Sequence, residues 1–496
     1  MMNEMGRSPA STVVILGIPF SNVSFADTIE WTRQRVLSKR PAYIATANMD
    51  FIMQAWLDPE LHRILLEADL VVADGIPIVW LSRLMGPGLK GRVTGSDLVP
   101  MLAELAAREG FSLFGLGGAP GVAEKATGKL VERYPGLRIA GCYSPPKADI
   151  LNMNNAEILA RLESAAPDIL LVAFGAPKQE KWVNLHIRQW HIPVAMGVGG
   201  SLDFLAGAQK RAPRFVQKLA LEWLWRMFSD PRRLFGRYFA NISFLCTVIF
   251  RLLFLRYMPV FDGGRGKARL ELEQLASLNA KRMVFQPDSD TGQIEYFRLE
   301  CAAEARKRML VIDLCECKWL NSGDLGVLLA LSRYCRSAGR RMYLFAPHLR
   351  VARLLRFVRL NRYIKVSETP AELMQRLSEA RHSEVDGSIQ LDPDRQLTLK
   401  LPVEFTAASL GAFRKEFDVA WNKMEDGAAP GGVSVDACAV EFMDSAAIGF
   451  LVSVKKKAEQ ARVEFRCFGF RDAAHRTLKL ARLESLVTER SSGVVT

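Results

Sequence analysis

Between residues 12 and 200, short and nearly continuous apolar runs alternate with longer stretches whose apolar positions recur at helical spacing. The runs are TVVILGI, AYIATAN, DLVVADG, FSLFGLGG, LRIAGCY, DILLVAFGAP and VAMGVGG; an intervening stretch such as SDLVPMLAELAAREG opens on a Ser/Asp pair suited to a helix start. Strands that are apolar along their whole length are covered on both faces, and regular strand-to-helix alternation makes them parallel. The pattern predicts an α/β, Rossmann-like, mostly parallel sheet with helices on both faces, with TVVILGI as the first strand.

In such a sheet ligands bind beyond the carboxyl ends of the strands. Thr46 and Asn48 follow the second run, Asp74 and Gly75 the third, and Gly115, Gly117 and Gly118 the fourth. Tyr143 follows the fifth, Gly175, Pro177, Gln179 and Glu180 the sixth, and Gly197, Gly199 and Gly200 the seventh. Taken singly, such glycines form turns and an aspartate at a strand end is a cap. Their coincidence on one edge predicts a shared crevice containing Asp74. The loop GLGGAPG departs from a dinucleotide fingerprint at Pro120, which stands where the last glycine belongs and weighs against a NAD(P)-linked oxidoreductase.

The charge is unevenly placed. The net charge is +13, and QKRAPRFVQKLALEWLWRMFSDPRRLFGRY interleaves Lys and Arg with Trp, Phe and Leu. That mixture suits a helix lying in an anionic membrane interface better than nucleic acid, for which no motif is present. The uncharged run Tyr238 to Phe250 ends at Arg251. It falls short of the roughly 20 residues a spanning helix needs, so peripheral, monotopic attachment is expected.

Further along, VIDLCECKWLNSGDLGVLL and SVDACAVEFMDSAAIGFLV align without gaps, Asp313 with Asp436 and Gly326 with Gly449. Each is followed by a further strand pattern, RMYLFAP or EFRCFGF, so the chain carries two copies of one small α/β module.

Seven motifs in order, TANMDF, ADGIPIVW, RVTGSDL, FGLGGAPG, FGAPKQEKW, GVGGSLDFLAG and KRAPRFVQKLALEWLWRMFSDPRRLFGRY, resemble the WecG/TagA/CpsF glycosyltransferases over roughly the first half of the chain. The resemblance implies inverting transfer of an N-acetylmannosamine-type sugar or a hexose. The donor would be a UDP-sugar and the acceptor a polyprenyl-diphosphate-linked sugar in cell-surface polysaccharide (exopolysaccharide) biosynthesis. It implies Asp74 as general base with Thr46, Asn48 and Gln179 in the catalytic site, and Tyr143 and Asp203 on the uridine. Arg226, Arg233 and Arg237 match positions placed over the active site, and Gly75, Gly115, Gly117, Gly118, Gly175, Pro177, Glu180, Gly199 and Gly200 complete the nucleotide-binding set. The two downstream modules resemble STAS domains of anti-sigma-factor antagonists. At the position of the usual phosphoacceptor serine stand Gly323 and Ala446, with Ser322 and Ser445 left as helix caps. Protein docking, self-association or regulation is therefore expected of the tail, rather than a conventional phosphoswitch.

No Asp-x-Asp follows a strand in the catalytic half, DSD at 288 and DPD at 392 lie in turn-rich stretches, and no His-Glu-x-x-His occurs. Neither metal nor cofactor is expected, and the leaving diphosphate would be held by helix N-termini, glycine amides and arginines. The eight cysteines are scattered and read as reduced thiols. With no basic signal-peptide start, the cytoplasmic face of the inner membrane is the expected location.

The length of 496 residues allows several domains. Those expected are 1–258, including a basic appendage at 209–258, a linker at 259–282, and modules at 283–382 and 386–496. A signalling adaptor with a vestigial transferase half is the remaining alternative. The presence of Asp74, Thr46 and Gln179 weighs against it.

Overall fold

The computed structural model describes residues 11–188, 190–208, 212–213, 216, 224–225, 227, 231–257, 270–287, 289–338, 340–382, 387–392, 395–425, 431–470 and 472–480. The N-terminal domain opens with strands β1 (Thr12–Ile15) and β2 (Ile18–Ser21), then α1 (Phe25–Ser38), β3 (Ala42–Ala47), α2 (Met49–Leu57), α3 (Pro59–Glu67), β4 (Leu70–Ala73) and α4 (Ile76–Met85). It continues with α5 (Gly95–Glu109), β5 (Ser112–Gly117), α6 (Val122–Arg133), β6 (Arg138–Tyr143), α7 (Asn155–Ala165), β7 (Ile169–Ala173), α8 (Lys178–His186), β8 (Val194–Gly197) and α9 (Ser201–Ala206).

Six of these strands form one parallel sheet in the order β4-β3-β8-β7-β5-β6. The Val, Ile, Leu and Ala side chains of its central strands are buried on both faces, as their unbroken apolar sequence requires. The first run departs from expectation. TVVILGI does not join the sheet; Leu16 and Gly17, at φ 51° and 83°, turn it into the antiparallel hairpin β1-β2. Two successive positive-φ residues make the tight hairpin turn whose twist matches its strands. The apolar residues of this hairpin are nevertheless buried, because another domain covers it.

That domain is the first repeat. After the long helix α10 (Pro231–Tyr257) and α11 (Leu272–Ser277) come β9 (Ala280–Val284), α12 (Thr291–Ala305), β10 (Met309–Asp313), α13 (Ser322–Ser337), β11 (Met342–Phe345), α14 (Leu349–Phe357), β12 (Lys365–Ser367) and α15 (Pro370–His382). Its sheet is parallel, in the order β12-β11-β10-β9. The second repeat comprises β13 (Ser388–Leu391), β14 (Leu397–Lys400), β15 (Glu404–Phe405), α16 (Ala407–Glu425), β16 (Gly432–Asp436), β17 (Phe442–Met443), α17 (Ser445–Gln460), β18 (Glu464–Phe468) and α18 (Asp472–Leu480). Its sheet order is β13-β14-β16-β18, with β13 antiparallel to β14. The repeats share a turn: Asp313 and Asp436 each accept from the backbone N–H two residues on, at 2.8 and 2.9 Å.

One apolar core crosses the boundary between the N-terminal domain and the first repeat, joining Val13, Ile15, Ile52 and Leu65 to Leu325, Leu328, Leu355 and Val358. The second repeat has its own core, built around Phe405, Phe417, Phe450 and Leu451. Ser322 and Ser445 are not the caps of their helices. Asn321 caps α13 by accepting from the amides of Gly323 and Asp324, and Asp444 caps α17 by accepting from Ala447. The serines stand at the first helical position, facing the N-terminal domain.

Candidate active site

The carboxyl edge of the six-stranded sheet carries helix starts at nearly every strand. Thr46, the penultimate residue of β3, donates its hydroxyl to the carbonyl of Gly197 on neighbouring β8, at 3.1 Å. Asn48 caps α2 through a bond from the amide of Phe51. Asp74 follows β4, its amide donating to the carbonyl of Ala47 at 2.9 Å, so the turn bearing Asp74 is tied to the end of β3. Its side chain is half-buried. Thr46, Asn48 and Asp74 therefore stand on adjacent strand ends, with Gly75 starting α4 behind them.

Sequence reasoning overlooked two groups beside this trio. A β-carbon on Gly95, at the start of α5, would lie 3.4 Å from both Thr46 Oγ1 and Ser201 Oγ. The start of α5 and the Ser201 hydroxyl thus close the floor next to Thr46. The motif RVTGSDL held the signal for Gly95, but only as a string.

Gln179 is 2% exposed, and its amide oxygen accepts from the amides of Gly175 and Gly199, both at 3.2 Å. It braces the loops after β7 and β8 against one another from beneath the surface. Glu180, expected against the nucleotide, is instead fully buried, with Tyr43 Oη donating to its Oε1 at 3.1 Å. Burial pushes the Glu180 carboxyl up to about 7. Gly197 permits this packing, since a β-carbon there would fall 2.6 Å from Gln179 Nε2 and 2.9 Å from Glu180 Oε1.

Gly115 is likewise an interior residue. It lies within β5, two residues before the strand's end, where a β-carbon would be in ordinary contact with Ala123 and Thr127 at 3.4 and 3.6 Å, and it does not reach the crest. Gly117, at φ 99°, ends that strand where a β-carbon would lie 2.8 Å from the carbonyl of Ala173, and Gly118 donates to the same carbonyl at 3.0 Å. Gly175 and Pro177 lead into α8, and Gly199 and Gly200 lead into α9 with Asp203 in its first turn. Tyr143 ends β6, where its hydroxyl donates to Glu157 at 2.9 Å and Arg161 lies over its ring. Asp74 and Tyr143 are thus five strand spacings apart, roughly 24 Å along the edge, and only an elongated ligand reaches both.

Arg226 and the side chain of Arg233 lie outside the described residues. Arg237 is exposed on α10, over the ring of Tyr238. Among the described residues no three His, Cys, Asp or Glu side chains converge as a metal site. A cavity of about 400 Å³ opens at the opposite, amino edge, beside Pro41 and Asp69, away from these strand ends.

Helix α10 is long and apolar enough to cross a bilayer by length and composition, over Phe235–Tyr257. One side is buried through Asn241, Val248 and Leu252 as it packs on α2 and α14. The other exposes Phe235, Phe239, Phe250, Phe254 and Tyr257.

Residues 13–257 match the family described as glycosyl transferase WecG/TagA/CpsF, and residues 283–373 and 388–493 each match the STAS domain. The chain is 32% identical over 230 residues to an N-acetylglucosaminyldiphosphoundecaprenol N-acetyl-beta-D-mannosaminyltransferase of Staphylococcus aureus strain MRSA252, covering 46% of this chain and 89% of that protein. It is 31% identical, with the same coverage, to the protein of that name from strain MW2.

Proposed function

The chain belongs to the WecG/TagA/CpsF glycosyltransferase family and carries two STAS domains, and from that premise we propose that it transfers a sugar from a UDP-sugar to a polyprenyl-diphosphate-linked acceptor with inversion. The observation that carries this reading is the meeting of Asp74, Thr46 and Asn48 at adjacent strand ends. Asp74 is the general base: it takes the acceptor hydroxyl proton as that oxygen bonds to the anomeric carbon and the bond to UDP breaks. Positioned proton transfer of this kind contributes about 10²–10⁴-fold in rate. The relatives' names, with a β-linked product and a diphosphoundecaprenol acceptor, support both the lipid carrier and inversion of an α-linked donor.

UDP extends from this trio toward β6. Its charge is met by the starts of α5, α6 and α9, whose amides follow Thr94, Gly121 and Gly200, and by arginines of the appendage, without a metal. Tyr143 and Asp203 hold the uridine, and the Gln179 bracket keeps the Gly175 and Gly199 amides in place. The exposed aromatic side of α10 lies in the cytoplasmic surface of the inner membrane, where the acceptor resides; its packed side on α2 and α14 supports a monotopic helix over a spanning one. The STAS tail regulates or docks.

The test is a panel of UDP-sugars with a short-chain polyprenyl-diphosphate-GlcNAc, read as sugar on the lipid. Transfer from a UDP-N-acetylhexosamine or UDP-hexose supports the reading, and no transfer from any donor by the folded protein contradicts it.

A further inference from the structure

Helix α3 joins the tail to the catalytic half. Ser445, at the start of α17 in the second STAS domain, places its amide on Glu60 Oε1 at 2.6 Å and its hydroxyl on Glu60 Oε2 at 2.7 Å. Glu60 is 2% exposed, so this carboxylate is withdrawn from water and depends on donors supplied by the protein. Its other partner is Lys181 on α8, at 2.8 Å, which Asp58 also meets at 2.7 Å. Lys181 stands two residues after Gln179 on the same nine-residue helix. A second contact reinforces the first: Arg63 of α3 pairs with Glu404 of the second STAS domain at 2.9 Å, and Arg336 of the first STAS domain grips the same carboxylate. Burial raises Glu404, but the two guanidiniums outweigh it and hold the carboxyl below its usual range.

We propose that the second STAS domain is an intramolecular partner of the transferase, and that Ser445, Glu60 and Lys181 are positioning residues that fix α8 and through it the Gln179 bracket. The proposal rests on the transferase reading for its kinetic consequence, not for its structural one. Two carboxylates around one ammonium leave an excess negative charge at this buried spot. The docked start of α17 offsets it with two donors and the positive end of a helix dipole. With that start removed, Glu60 competes for water, its hold on Lys181 slackens, and α8 loses the support it takes from α3 and α17. The start of α17, where Ala446 stands at the usual phosphoacceptor position, is therefore occupied in cis through Ser445.

The test compares full-length wild type with Ser445→Asp, Ser445→Ala and Ser445→Thr, by hydrogen exchange of peptides covering residues 175–186 and by the kcat and KM of UDP release. Ser445→Asp sets a carboxylate against Glu60. It is expected to speed exchange in 175–186 at least tenfold, leave exchange in 432–436 unchanged, and lower kcat several-fold with less effect on donor KM. Ser445→Ala shows a smaller change in the same direction, and Ser445→Thr, which keeps the hydroxyl, restores wild-type behaviour. Unchanged exchange in 175–186 for both Asp and Ala overturns the proposal, as does faster exchange spread equally over 432–436. Exchange needs no substrate, so a wild type that releases no UDP refutes the transferase reading while leaving the coupling measurable.

Discussion

Tyr43 on β3 and Glu180 on α8 are joined by a 3.1 Å hydrogen bond beneath the crevice floor, with no room for a side chain on Gly197 between them. Burial holds Glu180 at about 7, above its ordinary 4.5. The folded state therefore keeps a proton that the unfolded chain has lost, and this group subtracts stability as pH rises from about 4.5 to 7. Glu180→Gln keeps an acceptor for Tyr43 without the charge. It should stabilise the protein by on the order of 3 kcal/mol at pH 8 and by little at pH 4.5, read from denaturant midpoints. Equal effects at both pH values would contradict the assignment.

His62 gives a slope of opposite sign. Burial first, then Arg359 and Arg362, push it down to about 4. The unfolded chain takes up the proton near pH 6.5 and the folded chain does not, so stability present above pH 6.5 is lost as pH falls toward 4. The effect reaches on the order of 3 kcal/mol. His62→Gln should flatten this acid limb in unfolding measurements between pH 7 and 4. The two groups offset one another between about pH 4.5 and 6.5, so only the variants separate them.

Gly326 marks where the first STAS domain meets the hairpin. A β-carbon there would fall 2.0 Å from the carbonyl of Thr12, which is backbone and does not yield like a side chain. Gly326→Ala should destabilise the full-length protein by about 1–3 kcal/mol through forced separation of α13 from β1. Thermal unfolding checks this; an unchanged midpoint would mean that the interface is absent in solution.

The parallel sheet was legible because its strands are apolar throughout, and the crest residues were legible because Thr46, Asn48 and Asp74 interrupt that pattern where strands end. Distinctions among polar residues near one another were not. Gln179 and Glu180 are consecutive, yet one braces two loops and the other is sealed against Tyr43, because successive helical side chains point in different directions. TVVILGI looked like a sheet strand because its burial is real; what covers it lies more than 300 residues further on, beyond the reach of a local pattern. The contact of Ser445 with Glu60 is equally non-local, and the serine read as a cap because the true cap, Asp444, is its neighbour.

Membrane attachment through α10 predicts a specific loss. Phe235, Phe239, Phe250 and Phe254 are exposed on one side of the helix. Each would contribute roughly 1.5–3 kcal/mol if fully buried in lipid. Replacing all four with Ser should reduce co-sedimentation with anionic phospholipid vesicles at least tenfold without changing the unfolding midpoint. Undiminished binding would move the attachment elsewhere.

The central claim is that Asp74 accepts the proton of the attacking hydroxyl, and the most direct measurement is single-turnover sugar transfer by Asp74→Asn with donor and acceptor both saturating. The account predicts a rate lowered about 10²–10⁴-fold, with UDP-sugar affinity nearly unchanged. Transfer at the wild-type rate by the Asn variant would contradict it.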